Sequence, residues 1–175
     1  AGSNRNSINM KNFINKKILT ALVVLTGALA LPVYAANLTV NFIPNPLFNA
    51  ANFLPGDTET GEVVITNGTD AVQNIYVESV NGLDPDGLGS QLYLKVFENA
   101  SVIYQNELND FLVAGPVLLS LLGALDNTTY TFEVSFINSN DNDYQGKSLG
   151  FDLCVGFSGG SLQCGPTVIS DTDNP

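Results

Sequence analysis

The sequence predicts an all-β domain, a jelly roll or β-sandwich with one short helical insertion, preceded by a cleavable signal peptide. Three observations carry this expectation. Short runs alternate apolar and polar side chains, turn-forming residues fall between them, and a single uncharged mid-chain run breaks the alternation.

Residues 1–9 carry no pattern and stand ahead of Met10, so they do not enter the fold. From Met10, the cations Lys11, Lys16 and Lys17 precede Ile18 to Leu31, an uncharged apolar run of fourteen residues. A span needs about twenty apolar residues. This length, followed by Val33-Tyr34-Ala35, reads as a secretory signal over residues 10–35 cut between Ala35 and Ala36. An uncleaved anchor would leave the same domain outside the membrane.

Residues 36–169 are expected to form the sandwich, and residues 170–175 the start of a linker. Strands are expected at Leu38 to Phe42, Glu62 to Thr66, Asn74 to Val80, Gln91 to Phe97, Thr129 to Ile137 and Leu149 to Phe157, within a total of six to nine. In Thr129 to Phe136 the even positions are apolar and the odd ones polar, as for a strand with one face in a core. Pro55-Gly56-Asp57, Asn67-Gly68, Asn81-Gly82 and Asp84-Pro85-Asp86-Gly87 supply turns between runs. Phe111 to Leu125 is uncharged; Pro116 suits a first helical turn and Gly123 a stop, which predicts a helix over Pro116 to Leu122 capping one end of the sandwich. If Ser158 to Gly160 form a hairpin turn, Cys154 falls opposite Cys164, within disulfide range in an oxidising compartment.

Charge narrows function. Only Lys95 and Lys147 are basic from residue 36 onward, against all seventeen Asp and Glu, so the exported part carries 2 − 17 = −15. That charge repels phosphate backbones and anionic headgroups, so neither nucleic acid nor, after signal cleavage, a membrane is an expected partner. The chain has no His, which excludes Ser-His-Asp, Cys-His and His-ligated zinc chemistry. Asp141, Asp143 and Asp152 follow the spacing of a calcium loop, but a strand follows the loop and no Glu ends it. No cofactor is expected, and Ca2+ there, or at Asp84 and Asp86, is the one ion the spacing admits. Nothing in the sequence selects Glu59 and Glu62 from the other acids as a catalytic pair. The triplets at Asn37, Asn67, Asn99 and Asn127 would be glycan sites in a eukaryotic secretory pathway, but an Asn- and Thr-rich composition generates such triplets by chance.

Phe53 to Gly68, with its Pro-Gly-Asp turn, apolar strand and Asn-Gly turn, continues into Val72 to Val77; Tyr130 to Phe136 and Asn142 to Phe151 form a second block. Together they resemble the TasA/camelysin family of secreted proteins, over nearly the whole exported chain. The resemblance implies a non-enzymatic subunit of extracellular fibres in the biofilm matrix of a prokaryote, with relatives among bacterial matrix proteins and archaeal bundling pili. Camelysin has been described as a metallopeptidase; a chain without His is not expected to share that activity.

In fibre-forming relatives the N-terminal strand of one subunit completes the sheet of the next. The matching segment is Ala36 to Ile43, whose Leu38, Val40 and Phe42 would enter the neighbour's core while Thr39 and Asn41 face outward. The expected partner is then another copy in a head-to-tail homopolymer, with other matrix or surface proteins beside it. The same strand can instead pair within its own domain, which leaves a monomeric, surface-displayed adhesion or binding domain as the alternative.

Overall fold

The structure, a computed structural model, describes residues 38–137, 143–157 and 160–170. Its elements in chain order are β1 (Leu38–Ile43), β2 (Asn49–Ala51), β3 (Thr58–Asn67), β4 (Gln73–Leu83), a 3-10 turn (Leu88–Gln91), β5 (Leu92–Glu98), β6 (Ser101–Glu107), α1 (Leu108–Val113), β7 (Val117–Leu122), β8 (Asn127–Phe136), β9 (Ser148–Phe157) and β10 (Gln163–Ser170). One sheet runs β1-β3-β8-β5-β6 and the other β2-β10-β9-β4-β7. Every pairing is antiparallel except β2 against β10. The all-β sandwich with a short helical insertion is therefore the observed fold.

Alternation builds the core. Val63 and Ile65 of β3, Leu94 and Val96 of β5, and Tyr130, Phe132 and Val134 of β8 are buried on one sheet. Ile75 and Val77 of β4 and Phe151, Leu153 and Val155 of β9 are buried on the other. Fully burying an apolar side chain of this size contributes about 1.5–3 kcal/mol.

The insertion corrects the expected helix: Pro116 to Leu122 is not helical, and Val117–Leu122 is edge strand β7. The helix lies earlier, where Leu108 and Phe111, three residues apart, turn one face inward. It stops at Gly115, whose φ of 70° is the left-handed geometry that ends helices and suits glycine. Gly123 has no such role, and Pro116, lacking an N–H, stands just before the strand. The capping role falls to α1 instead: Phe111 packs edge-on against Tyr104 and against Phe151, with ring centroids 5.9 and 6.4 Å apart.

Among the described residues the strand count of ten exceeds the expected range because β2 and β6, like β7, lack a clean signal. β5 and β6 are joined through Asn99 and Ala100, both left-handed at φ 49° and 65°, the geometry of a two-residue hairpin turn usually marked by Asn-Gly. β10 runs through Ser170, which pairs with Ser148, so the sandwich extends one residue into the stretch expected to be linker.

Candidate functional site

The strand expected to be donated, β1, pairs with β3 of its own chain, from Leu38 opposite Asn67 to Ile43 opposite Glu62. Leu38 is buried, Val40 and Phe42 are half-buried against the core, and Thr39 and Asn41 are exposed, which is the expected inward and outward division. It is realised within one domain.

Two residues of β10, in the opposite sheet, hold β1 there. The Gln163 side-chain amide donates to the Leu38 carbonyl, and its Oε1 accepts the Val40 N–H at 3.3 Å. Two residues along, a Cβ on Gly165 would stand 3.0 Å from the Phe42 ring, so the ring lies against bare backbone. No local pattern announced Gln163. Gly165 carried the one available signal, a glycine inside a strand, which marks close approach by another element.

After β1 the chain changes sheets. Pro44 and Pro46 supply no N–H to continue the ladder, and Leu47 drops over Gly61, where a Cβ would overlap its side chain. The Leu47 N–H then bonds the Pro166 carbonyl, and β2 joins β10. β1 is thus an edge strand joined to the rest of the sandwich through a proline-interrupted segment.

On the opposite side a polar cluster joins the sheets. The Tyr130 and Ser120 hydroxyls lie 2.6 Å apart, Ser120 donates to Glu98 Oε1 at 3.1 Å, and Thr128 donates to the same oxygen at 2.8 Å. Burial pushes the Tyr130 phenol up to about 12; the Ser120 hydrogen bond opposes the rise and nearby Glu98 adds to it. Partial burial likewise raises Tyr104.

Cys154 and Cys164 are directly opposite in the β9–β10 ladder, with Cα atoms 4.0 Å apart, and are joined as a disulfide. Of the candidate calcium ligands, Asp141 lies outside the described residues. Asp152 accepts a hydrogen bond from the Asn81 amide at 2.7 Å. Among the described residues no three acids or cysteines gather into a group that could hold a metal ion. Asp84 serves the backbone: its oxygens accept the Leu88 and Gly89 N–H groups at 2.8 and 2.9 Å and so shape the 3-10 turn. Glu59 and Glu62 are three residues apart in β3, so pleating sends them to opposite faces and they do not form a catalytic pair.

Asn67 is no surface acceptor. It is fully buried, and its amide donates to the Ala71, Leu122 and Gly123 carbonyls while its Oδ1 accepts from Thr69. One side chain ties the β3–β4 turn to the β7–β8 turn. Asn37 and the cleavage pair Ala35 and Ala36 lie outside the described residues. Among the described residues no helix is long and apolar enough to cross a membrane.

No protein-family model and no curated protein matches the chain, so the TasA/camelysin resemblance rests on the quoted blocks alone. Among solved structures the chain is similar to a family 123 glycoside hydrolase from Clostridium perfringens, at 8% identity and TM-score 0.47, with 76% of this chain covered but only 27% of the hydrolase. It is also similar to the CooA pilin subunit from enterotoxigenic Escherichia coli, at 10% identity and TM-score 0.36 over 78% of this chain and 99% of the pilin. A third is AggA, the major subunit of aggregative adherence fimbriae type I from Escherichia coli, at 11% identity and TM-score 0.30 over 77% and 92%. At these identities and TM-scores the likenesses carry no argument about function.

Proposed function

We propose that this is a secreted, non-enzymatic structural subunit of extracellular fibres, of the biofilm-matrix kind its sequence blocks resemble, which assembles head to tail by exchanging β1 between copies. The observation that carries the reading is the placement of β1: an edge strand, the first among the described residues, apolar on its inner face, attached through Pro44 and Pro46 and held from the second sheet by Gln163 and Gly165. A strand so placed can leave its own β3 and be replaced in the same register by that of another copy, and the open-ended exchange makes a filament. Each copy carries −15, so added salt is expected to speed assembly by screening repulsion.

One observation favours the second reading, a monomeric adhesion domain: β1 is already seated, so the isolated sandwich has no empty groove along β3. The two readings separate by locking the strand. Asn41 and Val64 face each other in the β1–β3 ladder, and the Asn41→Cys/Val64→Cys variant of residues 36–175 would tie β1 to its own domain. Filaments from the unlocked protein and none from the locked one, by negative-stain microscopy and light scattering, support strand exchange. Filaments from both place assembly at another surface, and monomers from both support the adhesion reading.

A further inference from the structure

The sequence holds two Asn-Gly pairs, and the fold treats them in opposite ways. Asn67 is fully buried with both ends of its amide engaged. Asn81 and Gly82 are exposed at the end of β4, where the β4–β9 register pairs Val80 with Asp152 and Leu83 with Gly150 and shifts in between. The Asn81 amide makes one side-chain contact, donating to Asp152 Oδ2 at 2.7 Å.

We propose that Asn81-Gly82 is a site of spontaneous deamidation, a covalent modification that loosens the β4–β9 pairing. The Gly82 backbone nitrogen attacks Asn81 Cγ; the new C–N bond closes a five-membered imide, the Cγ–Nδ2 bond breaks, and ammonia leaves with the proton shed by Gly82. Water then opens the imide at either carbonyl and yields Asp or isoaspartate, with no oxidant or other co-reactant. Glycine matters because it carries no side chain to obstruct the attack, and the register shift frees the pair from a continuous ladder. At Asn67 the same chemistry would require opening the buried hub.

The product reverses the local electrostatics. A donor facing Asp152 becomes a second carboxylate at hydrogen-bond distance, and like charges so placed repel. isoAspartate additionally lengthens the backbone just before Asp84, whose carboxylate shapes the next turn.

Peptide mapping by mass spectrometry after prolonged incubation of the folded protein tests the site. Conversion at Asn81 is expected to outpace that at Asn67 by at least about tenfold, because opening a buried hub costs more than about 1.4 kcal/mol. Gly82→Ala supplies the control. A Cβ there meets nothing closer than 3.8 Å and the residue is not left-handed, so the variant is expected to fold normally and convert much more slowly. Asn81→Asp is expected to melt a few degrees lower than the unmodified protein. The site is overturned if Asn81 converts no faster than Asn67, or if Gly82→Ala converts as fast as the parent. An Asn81→Asp variant that melts with the parent overturns the loosening.

Discussion

Along one long side of the sandwich the sheets are joined by Gln163 and by the Phe42 ring against Gly165. Along the other they are joined by Glu98, Ser120, Thr128 and Tyr130. The first seal grips an edge strand that leads into the rest of the sandwich through Pro44 and Pro46. The second ties edge strand β7 to the interior strands β5 and β8 through a fully buried tyrosine. Losing the first frees one strand and leaves a shorter sandwich, whereas losing the second leaves a hole and orphaned polar groups. Under the strand-exchange reading, assembly falls to the β1 side and stability to the Tyr130 side.

The largest expected effect is on the Tyr130 side. Tyr130→Ala removes a fully buried ring and the partner of Ser120, and is expected to cost about 4 kcal/mol in urea unfolding. The hydroxyl alone has a pH signature. Its folded pKa of about 12 lies above the ordinary value of 10, so the folded state keeps a proton that the unfolded chain has already lost. The stabilisation from the neutral, buried phenol is present below pH 10 and is lost as pH rises from 10 toward 12. Tyr130→Phe is expected to flatten that alkaline decline, and an equally steep decline in the variant would remove Tyr130 as its source.

On the β1 side, Gly165→Ala drives a methyl to within 3.0 Å of the Phe42 ring. The ring must shift, at an expected cost of about 1–3 kcal/mol. Combining it with Phe42→Ala is expected to give less than the sum of the two changes, the mark of a shared contact.

Most of the sheet framework was legible in the sequence because one rule, alternation, suffices where a strand has one buried and one wet face. That rule located β1, β3, β4, β5, β8 and β9. It failed where composition hid the faces: β7 is uncharged throughout, with Leu118 and Leu121 exposed, so its pattern passes for a helix. It failed at β6 because the preceding turn uses Ala100 in a conformation that normally calls for Gly. The cysteine pairing was legible because a hairpin fixes register by counting. The clamp on β1 was not, since Gln163 reaches backbone more than a hundred residues away and nothing local distinguishes it. The burial of Asn67 was not legible for a related reason: a triplet names a residue type but not its burial.

A smaller effect, and of opposite sign, is expected beside the clamp on β10. Thr167 is buried and its hydroxyl has no hydrogen-bond partner, while the rest of the side chain has the shape of valine. Thr167→Val is expected to stabilise the fold by about 1 kcal/mol by removing a desolvated hydroxyl. Under the strand-exchange reading this gain should leave the exchange of β1 unaffected, because the contacts β10 makes to β1 are those of Gln163 and Gly165. Filament growth that slowed in proportion to the added stability would instead tie assembly to global unfolding.

The smallest global effect with the sharpest local one is expected from Gln163→Ala. Its two bonds go to partly buried backbone groups of an edge strand, so the cost to overall stability is about 0.5–1 kcal/mol. Hydrogen exchange should show the change where melting barely does: the Val40 amide is expected to lose protection, while amides of β8 and β9 keep theirs. Under the strand-exchange reading the same variant should polymerise faster than the parent, since it lowers the cost of freeing β1 without touching the β3 face that accepts it. Faster exchange in β1 with no change in assembly would mean that Gln163 holds a strand whose release does not limit growth.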